Sequence, residues 1–143
     1  MELKAHYVFD APVERVWDGL MDPTRLAACL PGCQRFEPEG DDRYRVRLTA
    51  GVAAITGTFE GTVSITDKDP QRSYRLLVEG RGRPGFVNGE STITLSPSDA
   101  GVVVTVNANM TIGGLIAQVG QRLLHPTAHM MMDRFFKCLQ SKI

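Results

Sequence analysis

The chain has no excess of charge in either sense: 16 basic and 16 acidic side chains cancel. That balance removes any general electrostatic pull toward nucleic acid or an anionic membrane, and no nucleic-acid partner is expected. Long apolar runs are missing as well. No stretch approaches the roughly 18 residues of a spanning helix. The opening Met1-Glu2-Leu3-Lys4-Ala5-His6-Tyr7 lacks the apolar segment of a signal peptide. Cysteine is scarce: three residues, an odd number and too few for a disulfide scaffold. The expectation is a reduced, cytoplasmic protein. Nucleophile and phosphate signatures are also absent, with no G-x-S-x-G, no G-x-G-x-x-G, and no Gly-rich loop followed by Lys-Ser or Lys-Thr.

What is present reads as one domain spanning residues 1–143, long enough to bury a core. Leu3, Ala5, Tyr7 and Phe9 alternate with Glu2, Lys4, His6 and Val8, which predicts an opening strand. Val13, Val16, Trp17 and Leu20 recur at helical spacing behind Pro12, whose fixed φ suits a first helical turn. Asp22-Pro23 ends that helix, and Thr24 to Leu30 predicts a second, stopped by Pro31-Gly32. Tyr44, Val46 and Leu48 then alternate with three arginines. Ile55, Gly57, Phe59, Gly61, Val63 and Ile65 alternate with threonine, serine and glutamate. One dry face and one wet face is the pattern of an antiparallel sheet. Further strands read from Ser73 to Gly80, Val87 to Ser96 and Val102 to Ile112. From Gly113-Gly114 onward the period becomes helical, with Ile116, Val119 and Leu123 on one face. Met130, Met131, Phe135, Cys138 and Leu139 continue an apolar stripe past Pro126, which is expected to kink the helix. The fold class is α+β. A curved antiparallel sheet of about seven strands must bury its dry face against the long C-terminal helix, and a space is left between them.

That space is the candidate site. Gly57, Gly61, Gly89 and Ser91 on inward strand positions leave volume unfilled, and Met130 and Met131 adapt to variable contents. The candidate cavity is lined by Trp17, Leu20, Leu48, Gly57, Phe59, Gly61, Phe86, Gly89, Ile116, Val119, Leu123, Met130 and Met131. The competing expectation is that Phe59, Trp17, Phe86 and the methionines fill the space completely. Asn88 with Glu90 is the one pair considered for a polar contact inside it.

No metal site is expected. Cys29 and Cys33 are four apart, while Cys138, His6, His125 and His129 lie far away in sequence. His125 and His129 lack the glutamate of an H-E-x-x-H helix. Leu30-Pro31-Gly32 reads as a helix-to-strand bend, with both flanking cysteines reduced and acting as small apolar residues. "EGRGRPGFVNGE" (residues 79–90) reads either as a mobile loop or as a gate, with Phe86 as flap and Arg81 and Arg83 facing an anionic headgroup or a partner.

The segments "YVFDAPVERVWDGLMDPTRLAACLPGCQRFE", "TGTFEGTVSITDKDPQRSYRL", "GRGRPGFVNGESTITL" and "MDRFFKCL" resemble the CoxG family of carbon monoxide dehydrogenase proteins over nearly the whole chain. The A-P-x-E-x-V-W-x-x-L-x-D-P opening is shared with the wider START-like (SRPBCC) superfamily. The Cys29-Leu30-Pro31-Gly32-Cys33 segment is the more specific mark. The resemblance implies a helix-grip fold with a deep apolar cavity. It also implies association with molybdenum hydroxylases of the CO dehydrogenase type, which family members are thought to help reach the membrane and its quinone pool. Many members carry a further C-terminal tail for membrane attachment. The sequence ends at Ile143 without one, so transient contact at the inner face of the membrane is the expectation.

The function expected on these grounds is non-catalytic binding and carriage of a hydrophobic ligand. The ligand would be a quinone or other isoprenoid lipid, with no other cofactor. A START-like enzyme of the polyketide cyclase or aromatase kind is the alternative class and would need convergent polar groups in the pocket. A ligand-free protein adaptor is the third.

Overall fold

A computed structural model describes residues 1–52 and 55–143. β1 (Glu2–Phe9) is followed by α1 (Val13–Met21) and α2 (Pro23–Cys29). Six strands then run in sequence: β2 (Cys33–Pro38), β3 (Arg43–Val52), β4 (Ile55–Asp69), β5 (Ser73–Gly82), β6 (Gly85–Ser98) and β7 (Gly101–Gly113). A 3₁₀ turn over Leu115–Val119 leads into α3 (Gln121–Lys142). The strands form one antiparallel sheet in the order β1-β7-β6-β5-β4-β3-β2. Only β1 is out of chain order, placed beside β7 with Leu3 opposite Ala108 and Phe9 opposite Val102.

Local chemistry accounts for the helix ends. Pro12 precedes α1 in an extended conformation that delivers the chain into the helix. Asp22 then does two jobs. It terminates α1, and its carboxylate accepts a hydrogen bond from the Thr24 backbone N–H at 3.0 Å, capping α2 with Pro23 in the first turn. The bend after α2 depends on Gly32. Its φ of 72° lies in the left-handed region, and a side chain there would collide with the Thr49 carbonyl of β3. The bend docks on β3 through a hydrogen bond from Thr49 N–H to the Gly32 carbonyl at 2.9 Å.

The inward positions of the strands meet α1, α2 and α3. Phe9, Val16, Leu20, Val102, Val104 and Leu139 are buried almost completely and form the dense end of the core. Phe136 of α3 stacks on Tyr7 (4.3 Å between ring centroids) and meets Phe9 edge-on at 6.5 Å. The tyrosine hydroxyl donates to Asp133 Oδ1 at 2.6 Å. Burial, helped by the neighbouring Asp133 carboxylate, raises the Tyr7 phenol well above its ordinary pKa.

Three sequence expectations are corrected here. The long helix does not begin at Gly114. Gly120, at φ 86°, separates the 3₁₀ turn from α3, so Ile116 and Val119 stand apart from it. The restart also changes the helical phase: Leu124 is buried at 3% exposure, whereas Leu123 is 57% exposed. The segment 79–90 is not a loop. β5 runs to Gly82, the turn is Arg83-Pro84, and Gly82 pairs with Gly85 at the start of β6. A ladder extended through small residues has the turn composition of a loop without its length. Finally, Cys29 is not a reduced thiol. It is bonded to Cys138 across 109 residues, with Cα atoms 5.4 Å apart, while Cys33 is free. The Pro31-Gly32 bend carries Cys33 into β2 and leaves Cys29 facing α3, a contact invisible to local spacing.

Candidate functional site: an apolar cavity between sheet and helix

Between the sheet and α3 lies a cavity of about 350 Å³. Its floor is built from alternate residues of five strands: Tyr44, Val46 and Leu48 on β3; Val63 and Ile65 on β4; Tyr74, Leu76 and Val78 on β5; Ser91 and Ile93 on β6; Val106, Ala108 and Met110 on β7. The alternation read in the sequence delivers these side chains to one face because successive strand residues point oppositely. The roof is Met131, Met132, Phe135 and Phe136 of α3. Leu20, Leu26, Leu30, Pro31 and Phe36 close the side nearest α1, α2 and β2. Trp17, the only tryptophan, packs edge-on against Tyr74 at 5.6 Å.

The void exists because small residues meet at its floor. Ser91 lies opposite Ala108 on one side and Leu76 on the other. Among the described residues no charged side chain lines the cavity, and the polar side chains in its wall are Tyr44, Tyr74 and Ser91. Burial raises the Tyr74 phenol well above its ordinary pKa, so it stays neutral. The Ser91 hydroxyl is buried and has no hydrogen-bond partner among the described residues. These groups can hold an uncharged hydrophobic molecule and offer it hydroxyl contacts. They do not assemble an acid–base pair.

A second depression, about 550 Å³ and more open, lies at the far end of the sheet. It is lined by Thr56, Gly57, Thr58, Arg83, Pro84, Leu115, Ile116 and Val119. It is larger, yet its walls are turn and strand ends, whereas the cavity under α3 is walled by core side chains. The cavity under α3 is the better ligand site on that ground.

Of the residues singled out in the sequence, the structure places Leu20, Leu48 and Met131 in the cavity under α3 and Gly57, Ile116 and Val119 in the more open cleft. Trp17 sits behind Tyr74. Phe59 and Gly61 lie on β4 between the two depressions. Met130, Leu123, Gly89 and Phe86 line neither. Phe86, the expected flap, lies across Gly113, which it pairs with in the β6–β7 ladder. The glycines also serve a different purpose from the one expected. A side chain at Gly61 would strike the Glu79 carbonyl, and one at Gly89 would strike Met110 and the Asn109 carbonyl. They permit close approach in a strongly curved sheet rather than opening volume. Asn88 and Glu90 point outward. Both are exposed, and Glu90 pairs with Arg75. Sequence reasoning placed Ser91 on the inward face, where the structure has it, but missed Met132, Phe135, Phe136 and Tyr74 as lining. Extending the same strand alternation through β5 would have found Tyr74.

His129 Nδ1 lies 3.4 Å from Asp133, and His125 Nε2 is 3.1 Å from the Glu2 carbonyl oxygen. No cluster of three metal-ligating side chains occurs among the described residues. No helix among them is long and apolar enough to cross a membrane.

A curved seven-stranded antiparallel sheet gripping a C-terminal helix around an apolar cavity defines the START-like, helix-grip class. The chain belongs to the carbon monoxide dehydrogenase CoxG family, whose model matches residues 8–143. A conserved protein of Geobacillus kaustophilus has a similar structure, with a TM-score of 0.96 and 37% identity over 99% of this chain and 94% of that one. A Thermus thermophilus protein is similar at TM-score 0.74 and 19% identity, covering 99% and 95% of the two chains. The structure of Ara h 8.0201 matches at 0.72 and 16%, covering 99% and 96%. The last two likenesses concern the fold alone. No curated protein matches the chain.

Proposed function

We propose that this protein is a non-catalytic carrier that binds a quinone-like or other isoprenoid molecule and serves a membrane-linked molybdenum hydroxylase of the CO dehydrogenase type. The observation that carries the reading is the cavity of about 350 Å³ between sheet and helix, whose wall is apolar apart from three hydroxyl-bearing side chains. That volume falls within the roughly 300–1,000 Å³ of small-molecule sites. Each ligand methylene moved from water into it contributes about 0.8 kcal/mol. Tyr44, Tyr74 and Ser91 offer hydrogen bonds without a group suited to proton abstraction at neutral pH. The flexible roof methionines, Met131 and Met132, suit a ligand whose ring substituents vary. Family membership supports the choice of partner.

The test begins with protein purified from its own host and analysed by native mass spectrometry for a co-purifying hydrophobic molecule. Delipidated protein is then titrated with short-chain quinones while Trp17 emission is followed. A stoichiometric adduct and saturable quenching are expected, because Trp17 packs on a cavity-lining ring. Absence of both an adduct and binding would falsify the carrier reading. Co-precipitation with the molybdenum hydroxylase of the same cell tests the partner, and failure to recover that enzyme removes it from the proposal.

A further inference from the structure

Ser91 sits at the floor of the cavity, on the inward face of β6, between Leu76 and Ala108 of the neighbouring strands. Its hydroxyl is buried, yet it has no hydrogen-bond partner among the described residues. A buried hydroxyl without a partner is destabilising, and alanine in its place would avoid that cost at similar size. The backbone groups around it are engaged in the β5–β6–β7 ladders. None of the nearby carbonyls accepts from it, and a turn about its Cα–Cβ bond toward the cavity would let whatever fills that space supply the partner. The described wall residues also include no cation or anion, so an ionised head such as a carboxylate would be left uncompensated at this depth.

We infer that Ser91 is the specificity-determining contact of the cavity, and that the ligand is a neutral, mostly apolar molecule that brings one hydrogen-bonding oxygen, a carbonyl or a hydroxyl, to the floor beside Ala108. This rests on the carrier reading above and adds which end of the ligand enters first. The oxygen-bearing end goes deep, and the apolar remainder passes beneath Met131, Met132 and Phe135 toward α2. Anionic amphiphiles of the same shape are rejected by desolvation rather than by size.

The experiment uses the full chain and four probes on one ring system: 2-methylnaphthalene, 2-methyl-1-naphthol, 2-methyl-1,4-naphthoquinone and 1-naphthoate. Affinities are measured for the parent and for Ser91→Ala. In the parent, the two neutral oxygen-bearing probes should bind about five- to tenfold tighter than 2-methylnaphthalene, the yield of one neutral hydrogen bond. 1-Naphthoate should bind weakest. In Ser91→Ala that preference should fall to about one, with 2-methylnaphthalene affinity unchanged, and the ligand-free variant should melt at or above the parent temperature. A preference retained in Ser91→Ala overturns the inference while leaving the carrier reading intact. So does a marked loss of ligand-free stability, which would reveal a structural partner for the hydroxyl. Failure of every probe to bind the parent overturns the carrier reading and this inference with it.

Discussion

Cys29, the last residue of α2, is bonded to Cys138 near the end of α3. α2 and the bend after it bring Leu26, Leu30 and Pro31 to the cavity, and α3 brings Met131, Met132, Phe135 and Phe136. The bond therefore ties two walls of the cavity to each other.

Reduction should loosen that tie. A link closing about a hundred residues of chain restricts the unfolded state, and bonds of this kind typically contribute about 2–4 kcal/mol. Cys138→Ala should lower the melting temperature under non-reducing conditions, and dithiothreitol should lower the parent to the same value. Thiol titration of unfolded protein should find one free thiol before reduction, from Cys33, and three after it. An unchanged melting temperature on reduction would contradict the assignment.

Gly61→Ala separates two roles for an inward glycine. If Gly61 only left space, alanine would shrink the cavity and spare the fold. Because a Cβ there meets the Glu79 carbonyl of β5, the strands must part. The expected outcome is a loss of about 2–4 kcal/mol in chemical denaturation, in the range of strained core substitutions. A loss under about 0.5 kcal/mol, the scale of an ordinary surface change, would show that the sheet accommodates the methyl group.

Phe136→Ala removes the ring that stacks on Tyr7 and closes part of the cavity roof. The side chain is 5% exposed, and such truncations cost about 3–5 kcal/mol. The variant should also bind probes less selectively, since its void merges with the existing one. Ala108→Leu is the converse. Its added methyls enter a space already present, so stability should hold within about 1 kcal/mol while ligand binding is lost.

Alkaline pH should unfold the protein through its tyrosines. The Tyr74 and Tyr7 phenols are both raised above the usual value near 10, Tyr74 by burial and Tyr7 by burial and then Asp133. The folded state therefore holds these protons after the unfolded chain has released them. Their contribution to stability is complete below about pH 10 and is lost as pH rises above it toward the folded values. Denaturation midpoints between about pH 9 and 11 should fall steeply in the parent and less steeply in Tyr74→Phe, which keeps the ring against Trp17. Equal slopes would place the loss elsewhere. Tyr7 is partly exposed and contributes less.

Much of this molecule follows from local rules. Period-two alternation sends Val63 and Ile65 inward and Thr62 and Ser64 outward because a strand has no other way to pleat. Asp22-Pro23 both stops one helix and starts the next through cap chemistry contained within a few residues. Seven strands with one dry face require a cover, and one long amphipathic helix was available to supply it. The family signature around the Pro31-Gly32 bend is likewise local. Other features depended on neighbours far away in sequence. The pairing of Cys29 with Cys138 rather than Cys33 was decided by the packing of α2 on α3. Which methionines roof the cavity was decided by the helical phase after Gly120, a rotation that periodicity alone leaves undetermined across a break. The purpose of Gly61 and Gly89 was decided by how tightly adjacent strands curl, and the void at Ser91 by the meeting of two small side chains on adjacent strands. Periodicity assigns a residue to a face. Only the packed structure assigns it a neighbour, and neighbours determine whether a small residue leaves a hole or fills one.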